Sequence, residues 1–310
     1  MLLWLAVPRV NGCNPAFMHL SYGKGARMSG SFGKGDRPVG MFKFVAIGAG
    51  LLCFAGAPVA ADSAMAAAPT YADLADLALD APIAAHVEIR RATRLDGQAA
   101  ARPGWQRYFV EADIVSLIKG REGQPARVGY LADAPAGTKL RRKDQYVVLA
   151  SGVPGRPGEL QLVAPDAQQP FTPATAARLR ALLGEAADPA APPAITGIGK
   201  AFHVPGAIPG ESETQIFLQA ADGRPISLSV LRRAGEQPRW AVALSEIVDD
   251  AAGPPEPETL LWYRLACSLP PALPRQSFDG ADGGQAEAIR ADYQVVKAGL
   301  GPCARTRSST

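Results

Sequence analysis

The chain has 310 residues, 47% of them hydrophobic, with 32 Lys and Arg, 29 Asp and Glu, and four cysteines. Six of the cations (Arg9, Lys24, Arg27, Lys34, Arg37, Lys43) but only one acid, Asp36, fall within residues 1–61. Taking these from the totals leaves 26 cations against 28 acids, about −2 for the rest of the chain, so composition gives no support for a nucleic-acid partner.

Residues 41–61 have the three-part build of a secretory signal peptide. Met41-Phe42-Lys43 supplies a basic start, an apolar run extends from Phe44 to Ala57, and Val59-Ala60-Ala61 offers a small-residue cleavage site. The apolar run, about 14 residues, is shorter than the roughly 20 a membrane-spanning helix requires, so no transmembrane span is expected in the mature chain. A lipidated Cys53 is the alternative, disfavoured because Leu52 before it is not small. A signal must be N-terminal, so residues 1–40 read as an over-called start, disordered, with Met41 beginning the natural product. Within them Ser21-Tyr22-Gly23-Lys24 recurs as Ser31-Phe32-Gly33-Lys34. A phosphate-binding loop would need glycine where Met28 stands and Ser or Thr where Gly35 stands, so that motif is absent. Cleavage is expected near Asp62 or Ala67, giving a periplasmic or secreted protein.

Two proline-rich breaks, Asp188 to Pro193 and Ala251 to Pro257, divide the rest into pieces at 70–186, 195–250 and 258–304. The first reads mainly as strands. Ile83, Ala85, Val87 and Ile89 alternate with Ala84, His86 and Glu88, a half-buried strand with His86 on its wet face. Tyr108 to Ile118 is longer and changes phase near Asp113, which predicts a bulge or bend. Arg127–Leu131, Gln145–Ala150 and Glu159–Val163 complete five strands. A helix follows, with Thr172 as N-cap, Pro173 at its first position, Gly184 closing it, and Ala176, Leu179 and Leu183 inward.

Five short strands, the second long and bent, predict a small OB-like barrel plus one helix. A long strand ending in Leu117-Ile118-Lys119-Gly120, a paired strand around Val128, and then Lys143-Asp144-Gln145-Tyr146-Val147-Val148-Leu149 together resemble the barrel of secreted netrin-like and metalloproteinase-inhibitor-like domains. The resemblance covers about a third of the chain. Those families shape an inhibitory edge with N-terminal cysteines, which are absent here after the signal, so protease inhibition is not implied.

The second piece predicts a three-stranded meander. Thr214–Ala220 leads through the turn pair Asp222-Gly223 into Ile226–Val230, and a turn near Gly235 leads to Trp240–Leu244 with Trp240, Val242 and Leu244 inward. Three strands alone make a poor domain, so the C-terminal piece or the barrel is expected to cover them. The third piece predicts two helices, Leu260–Cys267 and one carrying the stripe Ile289, Tyr293, Val296 and Leu300. After signal removal Cys267 and Cys303 are the remaining cysteines. In an oxidising compartment they are expected to bond and staple the helical hairpin, two separate buried thiols being the alternative.

Candidate chemistry is sparse. His203 opens a predicted loop ending in Glu211, Ser212 and Glu213, residue types that could support a hydrolase or a metal-dependent enzyme. No Gly-x-Ser-x-Gly elbow surrounds Ser212 and no zinc spacing surrounds His203, so a solvated turn is the simpler reading. No motif calls for a cofactor. Lys139 to Lys143, with Arg141 and Arg142 between, is a dense basic run that could meet an anionic envelope surface, a solvated hairpin tip being the alternative. The sequence therefore favours an exported, non-enzymatic binding protein of the cell envelope, its partner or ligand unspecified.

Overall fold

The structure is a computed structural model and describes residues 68–97, 100, 102–121, 123–245 and 252–307. The segments read above as an over-called start, a repeat, a signal peptide and its cleavage sites lie outside the described residues. Helix α1 (Tyr71–Ala78) precedes strands β1 (Ile83–Arg94), β2 (Trp105–Lys119), β3 (Arg127–Pro135), β4 (Gln145–Gly152) and β5 (Glu159–Leu162). The short strand β6 (Gln168–Pro170) and helix α2 (Pro173–Ala187) follow.

The first five strands close a barrel. Neighbours run β1-β2-β3-β5-β4, β4 returns to β1, and β6 adds to the outer edge of β4. Ile83, Ala85, Val87 and Ile89 fill its interior with Val110, Val128, Tyr130 and Val148. The bulge expected in β2 is present: register between β1 and β2 slips at three points, and at His86/Val87, which pair with Ser116 and Ile114, Val115 is the extra residue of β2.

The opposite face of β1 is not wet, which corrects the expectation for His86. Helices α1 and α2 cover it, packing Leu74, Leu77, Leu179 and Leu182 against Ala84, Val147 and Leu149. His86 is buried, stacked on the Phe171 ring at 3.6 Å and bonded through Nε2 to Gln145 at 3.2 Å. Helix α1 went unforeseen, although Thr70 and Asp73 form a reciprocal capping box at its start. Helix α2 begins as expected at Thr172-Pro173 but runs through Gly184 to Ala187. Pro189 ends it by holding Asp188 in extended backbone, so the stop is set by the residue before proline rather than by Gly184.

The second sheet has four strands where three were expected, in the order β10-β9-β8-β7. They are β7 (Ile195–Pro205), β8 (Ser212–Ala220), β9 (Ile226–Arg232) and β10 (Arg239–Ala243). Helix α3 (Leu260–Ala266), a 3-10 turn at Arg275–Phe278 and helix α4 (Gly283–Leu300) complete the chain. The stripe on α4 covers one face of this sheet: Ile289, Tyr293, Val296 and Leu300 meet Ile216, Leu228, Val230 and Trp240. Gly299 allows the approach, since a Cβ there would fall on the Trp240 indole. Helix α3 serves both halves, giving Leu260 to the core beneath α1 and α2, and Leu265 and Ala266 to the core beneath α4.

Cys267 and Cys303 are bonded, tying the end of α3 to the segment after α4. Beyond Cys303 the chain returns to the first half. Arg305 forms a two-point bond to Asp76 at 2.7 and 3.1 Å, Thr306 donates its N–H and hydroxyl to Asp73, and Arg307 grips Asp166 at 2.9 and 3.1 Å. No helix among the described residues is long and apolar enough to cross a membrane.

Candidate functional site

His203 lies in strand β7, not in a loop, paired with Thr214 of β8. Both side chains point toward α4. The Thr214 hydroxyl donates to Asp292 Oδ2, leaving its oxygen to accept from His203 Nδ1 at 2.8 Å, which assigns the ring proton to Nδ1. The other Asp292 oxygen accepts from Arg232 Nε at 2.7 Å. Thr214 and Asp292 are fully buried, while His203 and Arg232 reach partly to solvent.

No side-chain hydrogen bond joins Glu211, Ser212 or Glu213 to this chain of groups. Ser212 pairs with Pro205, Glu213 pairs with Val204 and lies on the outer face, and Glu211 closes the hairpin by accepting from Gly206 N at 2.8 Å. These three line an open depression of about 330 Å³ with Val204, Leu231, Arg232 and Arg233, so Arg232 borders both it and the network, while His203 is not part of its wall. The His203 network instead uses Thr214, Arg232 and Asp292, which sequence reasoning did not single out. One signal was available: Asp292 falls three residues after Ile289 on the inward stripe of α4, where an acid must be paired to be buried.

The arrangement suits tethering better than turnover. The Thr214 hydroxyl is sealed from solvent and its hydrogen is committed to a carboxylate, so it cannot meet a substrate as a nucleophile. Breaking a buried hydrogen-bonded pair of this kind costs about 3–5 kcal/mol. Its position, joining α4 to β7, β8 and β9, accounts for a positional role. Among the described residues no three His, Cys, Asp or Glu side chains converge in a metal-ligating arrangement.

A larger recess lies on the outer wall of the barrel. Phe109 of β2 and Leu131 of β3 face each other across the strands and remain 38% and 46% exposed. Gly129 sits two residues before Leu131, and its lack of a side chain lets the Phe109 ring lie on β3, for a Cβ there would stand 3.0 Å from the ring tip. Strand β5 pairs with β3 only at Gly129 and Tyr130. Beyond them the strands part and a groove of about 510 Å³ opens, with Val163 on its far side.

Ion pairs bound the groove at both ends. Arg107 and Asp133 are joined at 2.8 and 3.0 Å, and Arg156 meets Glu159 at 3.1 Å. The hydrogen bond to Asp133 pushes the Arg107 guanidinium above its ordinary value. An apolar floor between fixed charges is the usual make-up of a small-ligand site. No protein-family model matches the sequence, and no match is found among curated proteins.

Proposed function

We propose that this protein works outside the cytoplasm as a binding protein of the cell envelope, and that the barrel groove, not the His203 network, is its ligand site. The observation that carries this reading is the groove itself, where large apolar side chains stay exposed over a glycine-flattened strand surface. The Cys267–Cys303 disulfide supports export, because such bonds persist in oxidising compartments. The signal-like segment at residues 41–61 points the same way.

The test is capture from an envelope extract by immobilised wild-type protein, Gly129→Val and His203→Ala. The wild type and His203→Ala should retain the same bound species, identified by mass spectrometry, while Gly129→Val, whose side chain crowds Phe109, should lose it. Leu131→Ser repeats the test without adding bulk. Retention by both groove variants together with loss by His203→Ala would reverse the assignment and favour the enzyme reading.

A further inference from the structure

The wall of the groove continues into a cluster of arginines on the same outer face of β1, β2 and β3. The cross-strand row Thr93–Phe109–Leu131 is followed by the row Arg91–Glu111–Gly129, then by Glu88–Asp113–Arg127. Each step is two residues, about 7 Å along the strand. The slip in register at Ile89/Arg91 makes Arg90 the extra residue of a bulge, and both Arg90 and Arg91 are exposed. Arg142 arrives from the β3–β4 loop, which Lys143 N and Asp144 O fasten to Ile89 at 2.8 and 2.9 Å. The basic run noted at Lys139 to Lys143 thus reaches the middle of β1.

Arg90, Arg91, Arg127 and Arg142 surround a depression of about 380 Å³ with Glu111. Asp113 is shared by Arg90 at 2.8 Å and Arg127 at 3.5 Å. The side chains of Arg91, Arg142 and Glu111 have no hydrogen bond or ion pair among the described residues. Four cations are gathered beside three acids, Glu88, Glu111 and Asp113, and the positive excess is one that an anion would relieve. Guanidinium forks suit the paired oxygens of a phosphate better than a point charge does.

We propose that the groove takes an anionic amphiphile, its apolar body on Phe109, Leu131 and Val163 and its phosphate-like head among Arg91, Arg127 and Arg142. This rests on the groove being the ligand site and adds the class of ligand.

Calorimetric titration of the full chain tests it with dodecyl phosphate held below its micellar concentration, set against inorganic phosphate (head alone), dodecyl maltoside (uncharged head) and a soluble Glu- and Phe-rich peptide. Dodecyl phosphate should bind at least about tenfold more tightly than each of the others. The double variant Arg91→Gln/Arg127→Gln should weaken it by about tenfold or more and flatten its salt dependence. Leu131→Ser should weaken it while leaving the salt dependence in place.

Equal binding of dodecyl maltoside, indifferent to the arginine changes but lost in Leu131→Ser, would overturn the charged head and leave the groove reading standing. Inorganic phosphate binding as tightly as dodecyl phosphate, or the peptide binding more tightly, would overturn the amphiphile. Failure of dodecyl phosphate to bind would also overturn it, and the groove reading would then be judged by the capture experiment alone.

Discussion

The two sheets solve the same burial problem in opposite ways. The barrel closes on itself and fills its interior with its own strands, so helices are needed only over the face that carries Ala84 and Val147. The four-stranded sheet has no second half of its own and depends on α4 for its core. Polar groups therefore mean different things in the two regions. In the open sheet the buried His203–Thr214–Asp292–Arg232 chain fixes the helix that completes the fold. On the barrel, whose core is already complete, exposed Phe109 and Leu131 and the arginines beside them are not needed for burial and are free to meet a ligand.

This contrast can be broken most forcefully at the disulfide. Replacing Cys267 and Cys303 by serine frees a loop of 36 residues and should cost about 4 kcal/mol by chain entropy. Thermal unfolding should shift down markedly, while binding at the barrel groove stays measurable at low temperature. A double variant that melts with the wild type would remove the disulfide from the account of how α4 is held.

Asp292→Ala comes next, with an expected loss of about 3 kcal/mol because Arg232 and Thr214 lose their acceptor. Hydrogen exchange should quicken across β7, β8 and β9 and stay slow in β1 to β4. Uniform acceleration through both sheets would show that the regions do not differ as described.

The smallest effect concerns the tail that joins the halves. Burial alone would raise the carboxyls of Asp73, Asp76 and Asp166, but hydrogen bonds outweigh it: Thr306, Thr70 and Arg307 at Asp73, Arg305 and Tyr263 at Asp76, and Arg307 at Asp166. All three are thereby held below the ordinary carboxylate range. Their contribution is complete above the unfolded value of about 3.9 and is lost as pH falls through the lower folded values. Arg305→Ala/Arg307→Ala should cost about 1 kcal/mol at neutral pH and make the fall of melting temperature below about pH 4 shallower. Parallel acid limbs in the two proteins would exclude the tail as their cause.

Much of the fold was legible because the strand period of two and the helical spacing of three and four survive wherever one face is buried. Ile83 to Ile89 and the stripe Ile289, Tyr293, Val296, Leu300 are such cases. Strand β7 escaped because Gly197, Gly199 and the register shift between Ile198 and Ala201 interrupt its alternation, and Pro205 made its end look like a loop. His86 was placed on the wrong side because the pattern of one strand cannot show that distant α2 covers its second face. The groove was the least legible feature: it exists because β3 and β5 part after two paired residues, a contact between segments about 30 residues apart. Gly129 inside a strand was its only local trace.

The measurement that bears most directly on the central claim is hydrogen–deuterium exchange of the full chain with and without the species eluted from the wild-type capture column. Binding at the barrel predicts slower exchange in residues 107–111 and 127–133, with residues 201–214 unchanged. Protection confined to residues 201–214, with the barrel wall unaffected, would contradict it and return the function to His203.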